Sequence, residues 1–343
     1  MRERFLIRAL FVSMCLVVCC SIVSAQQTTG RVHAIIISGG MNKLMNHERY
    51  WNDCAFLYRT LREDCHLSPQ DITLLISDGG EPGRDMLLED GSGFATSPAD
   101  LDGDGLRDVW LPATLSQVEA SLTELAMRLT PQDRLFLFLV DHGDIDDQQQ
   151  TYACMWGGER LTDTRLAELL DAFHVASMNI VIGMCHSGGF IDDLWRENRI
   201  ISTSSTGSEP SWACGDRPYD EFVYHWTCAI AGHDPEGNLV TADADGDGFV
   251  TMAEAFNYAC QHDRREETPQ YCSAPTTLGE QWSFSQQRRD GIKDSVISDL
   301  YSSRRCYDLQ GRIVPTQIET KRKYLKILNA KQSFGLSPII IIK

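Results

Sequence analysis

The chain has 343 residues, 43% of them hydrophobic and 23% charged, with a formal net charge of -17. That length accommodates one sizeable α/β catalytic domain plus an appendage, and the composition is ordinary for a globular protein. The acidity excludes a nucleic-acid partner, because polyphosphate binding needs a basic face; it favours solubility and cation binding.

Arg2, Arg4 and Arg8 precede an apolar run from Ala9 to Val23, and Ser24-Ala25 offers small residues ahead of Gln26. This is the pattern of a signal peptide over 1-25. The run is too short for a membrane span, and no later segment is apolar enough for one. The mature chain is therefore expected to be soluble, and secreted or held at the cell surface. Three of the 12 cysteines fall in the leader. Those beyond it are Cys54, Cys65, Cys154, Cys185, Cys214, Cys228, Cys260, Cys272 and Cys306. An exported protein is expected to oxidise most of them, and an odd number leaves one thiol over. The alternative is that several are buried small hydrophobes.

Short apolar runs then alternate with amphipathic stretches, the pattern of a sheet flanked by helices. Val32 to Ser38 reads as a first strand, Tyr50 to Arg62 as a helix, and Asp71 to Ser77 as a second strand. Thr114 to Leu129 repeats leucine and valine at helical spacing. Leu135 to Val140 is apolar throughout, as a strand covered on both faces should be. A helix over Leu166 to Phe173, strands at Asn179 to Ile182 and Ile200 to Ser204, and helices over Asp220 to Ile230 and Thr251 to Cys260 follow. The catalytic domain is expected to span 30-290, with a linker over 291-306. Residues 307-343 differ, with turn-linked short strands that suggest a small β tail.

Two of the strands run into unusual residues, Asp141-His142-Gly143-Asp144 and Gly183-Met184-Cys185-His186-Ser187-Gly188-Gly189. Ligands of open α/β sheets bind at the carboxyl ends of strands, so His142 and Cys185 are expected at one edge. The attacking species is a thiolate, and a nearby imidazole supports it and later protonates the leaving amine. Gly143 lets a backbone N–H approach a substrate carbonyl, and the N–H of Cys185 offers a second oxyanion donor. Gly188 and Gly189 are expected to form a tight turn beneath the nucleophile. His186 adjoins Cys185 in sequence and is an awkward partner for it.

On these residues, and on Glu209-Pro210-Ser211-Trp212-Ala213-Cys214, the chain resembles the legumain family within the caspase, gingipain and clostripain clan, over roughly Gly30 to Phe284. The resemblance implies a caspase-haemoglobinase-like, mostly parallel sheet flanked by helices. It implies a cysteine endopeptidase acting on peptide or protein substrates, with no cofactor for the chemistry. It places Ser211 and Asp220 in the primary specificity pocket, and Asn46, eight residues before Cys54, in support of the catalytic histidine. Two positions depart from the pattern: the acid two residues before the nucleophile is Gly183, and an arginine of the pocket is replaced by Glu48. Two P1 preferences stay open, asparagine and, through Glu48 or Asp220, a basic residue. A transpeptidase, in which an amine replaces water, is the alternative within the clan.

Two acidic loops stand apart. Asp243, Asp245, Asp247, the Phe249 carbonyl, Thr251 and Glu254 fill the ligand positions of an EF-hand calcium loop, with Gly248 at the sharp turn. Asp100, Asp102, Asp104, the Leu106 carbonyl and Asp108 make a shorter match, with Leu111 where the last glutamate would stand. Structural Ca2+ is expected at both. A non-catalytic calcium-binding surface protein, with Cys185 in a disulfide, is the rival from another class. A zinc site at His142 and Cys185 lacks a compact ligand spacing. At the tail, Tyr307 to Arg312 and the closing Ile339 to Lys343 resemble a type IX secretion sorting module, which makes secretion machinery an expected partner; an appended β-hairpin is the alternative.

Overall fold

The computed structural model describes residues 30–284. The expected leader, the linker over 291-306 and the tail lie outside the described residues. The chain begins with β1 (Val32–Ser38), α1 (Glu48–Arg59), which a wider turn over Thr60–Asp64 prolongs, and β2 (Ile72–Ile76). A short hairpin of β3 (Met86–Leu87) and β4 (Phe94–Ala95) precedes α2 (Leu115–Arg128) and β5 (Arg134–Val140). Next come an antiparallel meander of β6 (Gly143–Ile145), β7 (Thr151–Met155) and β8 (Glu159–Thr162), then α3 (Asp163–Asp171) and β9 (Ser177–Gly183). The described chain closes with α4 (Ile191–Leu194), β10 (Arg199–Thr203), α5 (Glu221–Ala231), α6 (Met252–His262), β11 (Gln270–Ala274) and α7 (Thr276–Gln281).

The main sheet runs β2-β1-β5-β9-β10-β11, parallel except for β11, which pairs antiparallel with β10. Its inner strands are apolar at both parities because both faces are covered. Ala34, Ile36, Phe136, Phe138 and Val181 face one layer, where Leu57 and Leu61 of the α1 region, Trp226 of α5 and Met252 of α6 pack. Ile35, Ile37, Leu135, Leu137, Ile180 and Ile182 face the other, against Val118 and Leu122 of α2 and Leu166 and Leu170 of α3. Each such side chain contributes about 1.5–3 kcal/mol on leaving water. Trp226 stacks on Phe136 with centroids 5.6 Å apart and planes at 7°. Helix starts follow local chemistry: Thr114, Thr162 and Thr251 each accept a backbone N–H from three residues on, and Glu254 completes a capping box with Thr251.

This is the mostly parallel, helix-flanked architecture that the alternating pattern implied. The sequence did not point to the β6–β8 meander or to β11. Oxidation was expected at most of the cysteines, but among the described residues Cys54, Cys154, Cys185, Cys214, Cys228, Cys260 and Cys272 are free thiols, and Cys54, Cys154 and Cys228 are buried as small hydrophobes. Among the described residues no helix is long and apolar enough to cross a membrane.

Candidate active site

β5 and β9 are hydrogen-bonded neighbours, and Val140 is the register partner of Gly183. The chain thus leaves both strands at one level, and His142 and Cys185 each stand two residues beyond it. A side chain at Gly143 would collide with the Cys185 carbonyl oxygen and with Met184, so the two strand ends pass each other only because this residue is glycine. The expected tight turn differs in detail. The left-handed residue is His186, with φ 60°, ahead of a single 3-10 turn over Ser187–Phe190; Gly188 and Gly189 do not take positive φ.

The thiol of Cys185 is half-buried. Ser211 N–H points at its sulfur from 3.4 Å, and the Ser211 carbonyl oxygen lies 3.7 Å away. Burial pushes this thiol up, and the Ser211 amide opposes that. The imidazole of His142 has Nε2 at 3.0 Å from the Met45 carbonyl. A carbonyl only accepts, so Nε2 carries the hydrogen and Nδ1 is left as the basic nitrogen. Burial pushes His142 down to about 4, against the Met45 carbonyl and with help from the Arg49 and His47 charges. Sulfur and imidazole therefore rest uncharged, each held by a backbone group and not by one another.

Around them the expectations divide. Asn46 is buried, but its Nδ2 donates to the Asp85 carbonyl at 3.1 Å and does not reach His142; the group that orients the imidazole is the neighbouring Met45 carbonyl. Tyr50 braces the ring instead, edge-on at 5.2 Å, with His47 at 5.4 Å. Asp141 is fully buried, and its carboxyl accepts the N–H groups of Gly39, of Gly40 at 2.8 Å and of His142 at 2.6 Å. Burial nevertheless pushes it up to about 8.

Ser211 lies at the nucleophile, and Asp220 is held at 2.9 Å by Arg49 Nε. Arg49 also pairs with Glu89 at 2.8 Å and lies over the Tyr50 ring at 4.5 Å. Glu48, one residue earlier, accepts the Glu89 N–H at 3.1 Å. The residue of α1 that pairs with Asp220 is Arg49, and Asp53 accepts the Asp220 amide at 3.2 Å. A cavity of about 380 Å³ lies here, lined by Glu48, Arg49, Glu89, Ala213, Gly215 and Arg217 among others. A Cβ at Gly183 would strike a methyl of Val223. Arg49, Glu89 and Tyr50 are the residues the sequence reading missed, although Arg49 was one position from a residue it singled out.

The two acidic loops fold alike. In the first, Asp100 accepts Gly103 N at 2.7 Å and Gly105 N at 2.9 Å, Asp102 accepts Asp104 N, and Asp104 accepts Leu106 N. In the second, Asp243 accepts Gly246 N at 2.7 Å and Gly248 N at 2.9 Å, Asp245 accepts Asp247 N, and Asp247 accepts Phe249 N. Carboxylate oxygens of Asp100, Asp102 and Asp108 lie within 4.8 Å of one another, as do those of Asp243, Asp245 and Glu254. Clustered hard oxygen donors fit a calcium ion. In the first loop Asp108 closes the ring, accepting Leu101 N and the Tyr58 hydroxyl, each at 2.8 Å.

Comparison with known proteins adds the following. Residues 114–240 match the model of the Peptidase C13 family. That stretch holds His142, Gly143, Cys185, Ser211 and Asp220. No curated protein matches the chain. Among solved structures, a protein from Geobacter sulfurreducens is similar at 11% identity, over 71% of this chain and 93% of that one, with a TM-score of 0.42. Caspase-1 from Spodoptera frugiperda is similar at 12% identity, over 71% of this chain and 87% of that one, with a TM-score of 0.41.

Proposed function

We propose that this chain, a legumain-like cysteine peptidase of the caspase clan, is a secreted, calcium-stabilised endopeptidase that works through Cys185 and His142. The observation that carries the reading is the shared register of β5 and β9, which delivers a free thiol and a neutral imidazole to one sheet edge beside Gly143. His142 Nδ1 takes the thiol proton as Sγ attacks the peptide carbonyl carbon. The oxyanion forms near the N–H groups of Gly143 and Cys185; each such donor supplies about 100- to 1000-fold in rate. The imidazolium then protonates the departing amine, and water, deprotonated by the same nitrogen, releases the acyl group from sulfur.

The neighbouring cavity is lined by Arg49, whose guanidinium also holds Asp220, together with Arg217, Glu48, Glu89 and Asp90. An amide P1 side chain, which both donates and accepts, suits that pairing; Arg49 repels a lone basic side chain. Arg49 and Glu89 thus favour asparagine over a basic residue at P1. Asp100, Asp102, Asp104, the Leu106 carbonyl and Asp108 would hold one calcium ion. Asp243, Asp245, Asp247, the Phe249 carbonyl, Thr251 and Glu254 would hold another. The ion supplies rigidity to its loop and no step of the chemistry.

An acyloxymethyl-ketone probe series varied at P1 tests the reading. Labelling is expected on Cys185 of the native protein, strongest with an asparagine probe, and is expected to vanish in Cys185→Ala. Labelling that survives in the mutant refutes the nucleophile assignment; a flat P1 response refutes the pocket.

A further inference from the structure

The residues between α6 and β11 run alongside the segment that faces the nucleophile. Thr268 donates its N–H and its hydroxyl to the Glu209 carboxylate, at 2.6 and 3.3 Å. Arg265 Nε donates to the Ala213 carbonyl at 2.7 Å. Between them, the Trp212 N–H donates to Glu267 Oε2 at 2.8 Å, and the Ser211 hydroxyl bonds the same carboxyl. On its opposite side the 209–213 segment meets the catalytic turn: His186 N–H donates to the Glu209 carbonyl at 2.9 Å, and Ser211 N–H points at Cys185 Sγ. The Trp212 N–H shares one peptide plane with the Ser211 carbonyl, and the Ser211 hydroxyl is bonded to the same carboxyl, so Glu267 holds Ser211 through both its side chain and the peptide that follows it.

We propose that Glu267 is a positioning residue for the nucleophile, holding both the Ser211 hydroxyl and the Trp212 amide and so keeping the Ser211 amide between them aimed at the Cys185 sulfur. This rests on Cys185 being the nucleophile. Glu267 is built for the role by its second oxygen. Oε1 is buried beside the Asp263 carboxyl, whose Oδ2 is buried as well. Two carboxyls in contact hold one proton between them, and burial, with Asp263, pushes Glu267 up to about 9. A proton on Oε1 leaves Oε2 as a fixed acceptor for Trp212 and Ser211, and it spares Cys185 a full negative charge nearby. Glutamine reproduces that state: its amide nitrogen donates to Asp263 while its oxygen accepts from Trp212.

The test is the rate at which iodoacetamide alkylates Cys185 as a function of pH, read at that residue by peptide mass spectrometry in the full chain. The variants compared are Glu267→Gln and Glu267→Ala. Both are uncharged, and Arg49, Tyr50, His142, Cys154 and Asp220, the other titratable groups facing the sulfur, are the same in each. Glu267→Gln is expected to stay within about twofold of the native rate. Glu267→Ala is expected to react about tenfold more slowly at neutral pH, with its profile moved about one unit upward relative to Glu267→Gln, the size of one hydrogen bond to a charged group. Glu267→Met, of similar length and without an acceptor, replaces alanine if that variant misfolds. Identical profiles for the glutamine and acceptor-less variants, in a protein whose native Cys185 is alkylated normally, overturn the positioning role alone. A native Cys185 that resists alkylation at every pH overturns the nucleophile assignment and the inference with it.

Discussion

At the scale of single residues, the proposed pairing of Cys185 with His142 is set by burial more than by charge. Burial lowers His142 to about 4 and raises the Cys185 thiol, so both rest neutral, and in the proposed mechanism the proton crosses during attack. His142 must be unprotonated to accept it. Activity is therefore expected to be lost as pH falls through about 4, well below the ordinary histidine range. A kcat/KM profile with its acid limb near 6.5 would show instead that the ring is solvated. Gly143 offers a second test. A methyl there meets the Cys185 carbonyl oxygen and the Met184 side chain, so Gly143→Ala must spread the two strand ends. The expected result is a kcat/KM at least about 100-fold lower, with a stability loss of about 1–3 kcal/mol from overpacking; kinetics and thermal melts on one preparation check both.

Elements carry the next level. The inner strands were legible because burial on both faces makes them continuously apolar, which is why β5 and β9 could be placed before any coordinates. His142 and Cys185 were legible for the same reason, each following such a run. The meander was not: β6 is three residues, Gly143, Asp144 and Ile145, too short to show a period. β11, Gln270-Tyr271-Cys272-Ser273-Ala274, is half-buried at the sheet edge and carries no apolar run. Arg49, Glu89 and Glu267 matter through partners on other elements, 171 residues away for Arg49 and Asp220, and sequence spacing says nothing of that. The link from the second acidic loop to α6 is local and supports a prediction. Glu254 is both the last ligand proposed for the loop and the third residue of α6, in a capping box with Thr251. Calcium at 100 times its Kd would stabilise the fold by about 2.7 kcal/mol. Chelation is then expected to lower the melting temperature by roughly 5–10 °C for each occupied loop in a domain of this size, and Asp243→Ala to remove the second loop's share of that response. Equal melting with chelator and with calcium would discard the proposed ion.

For the whole molecule, the buried acids beneath the site set how stability depends on pH. Asp141 is pushed up to about 8 by burial, so the folded state keeps a proton that the unfolded chain releases near pH 4. A group of this sign contributes stability that is complete below its unfolded value and is lost as pH rises through the folded one. Glu267, pushed up to about 9, acts in the same direction. His142, lowered to about 4, contributes stability that is present above its unfolded value of about 6.5 and is lost as pH falls through the folded one. The formal net charge of -17 adds self-repulsion once carboxylates are ionised. Two acids outweigh one histidine over the range between pH 5 and 9, so the melting temperature is expected to be highest near pH 5 and to decline toward pH 9. Asp141→Asn separates this linkage from general repulsion. Its amide oxygen still accepts from the Gly39 and Gly40 N–H groups while its NH2 faces the His142 N–H, so the variant should melt below the native protein at pH 5, but it cannot ionise, so the decline toward pH 9 should flatten. A native melting temperature that rises from pH 5 to pH 9 would mean that Asp141 is ionised in the folded protein, held by those three N–H groups.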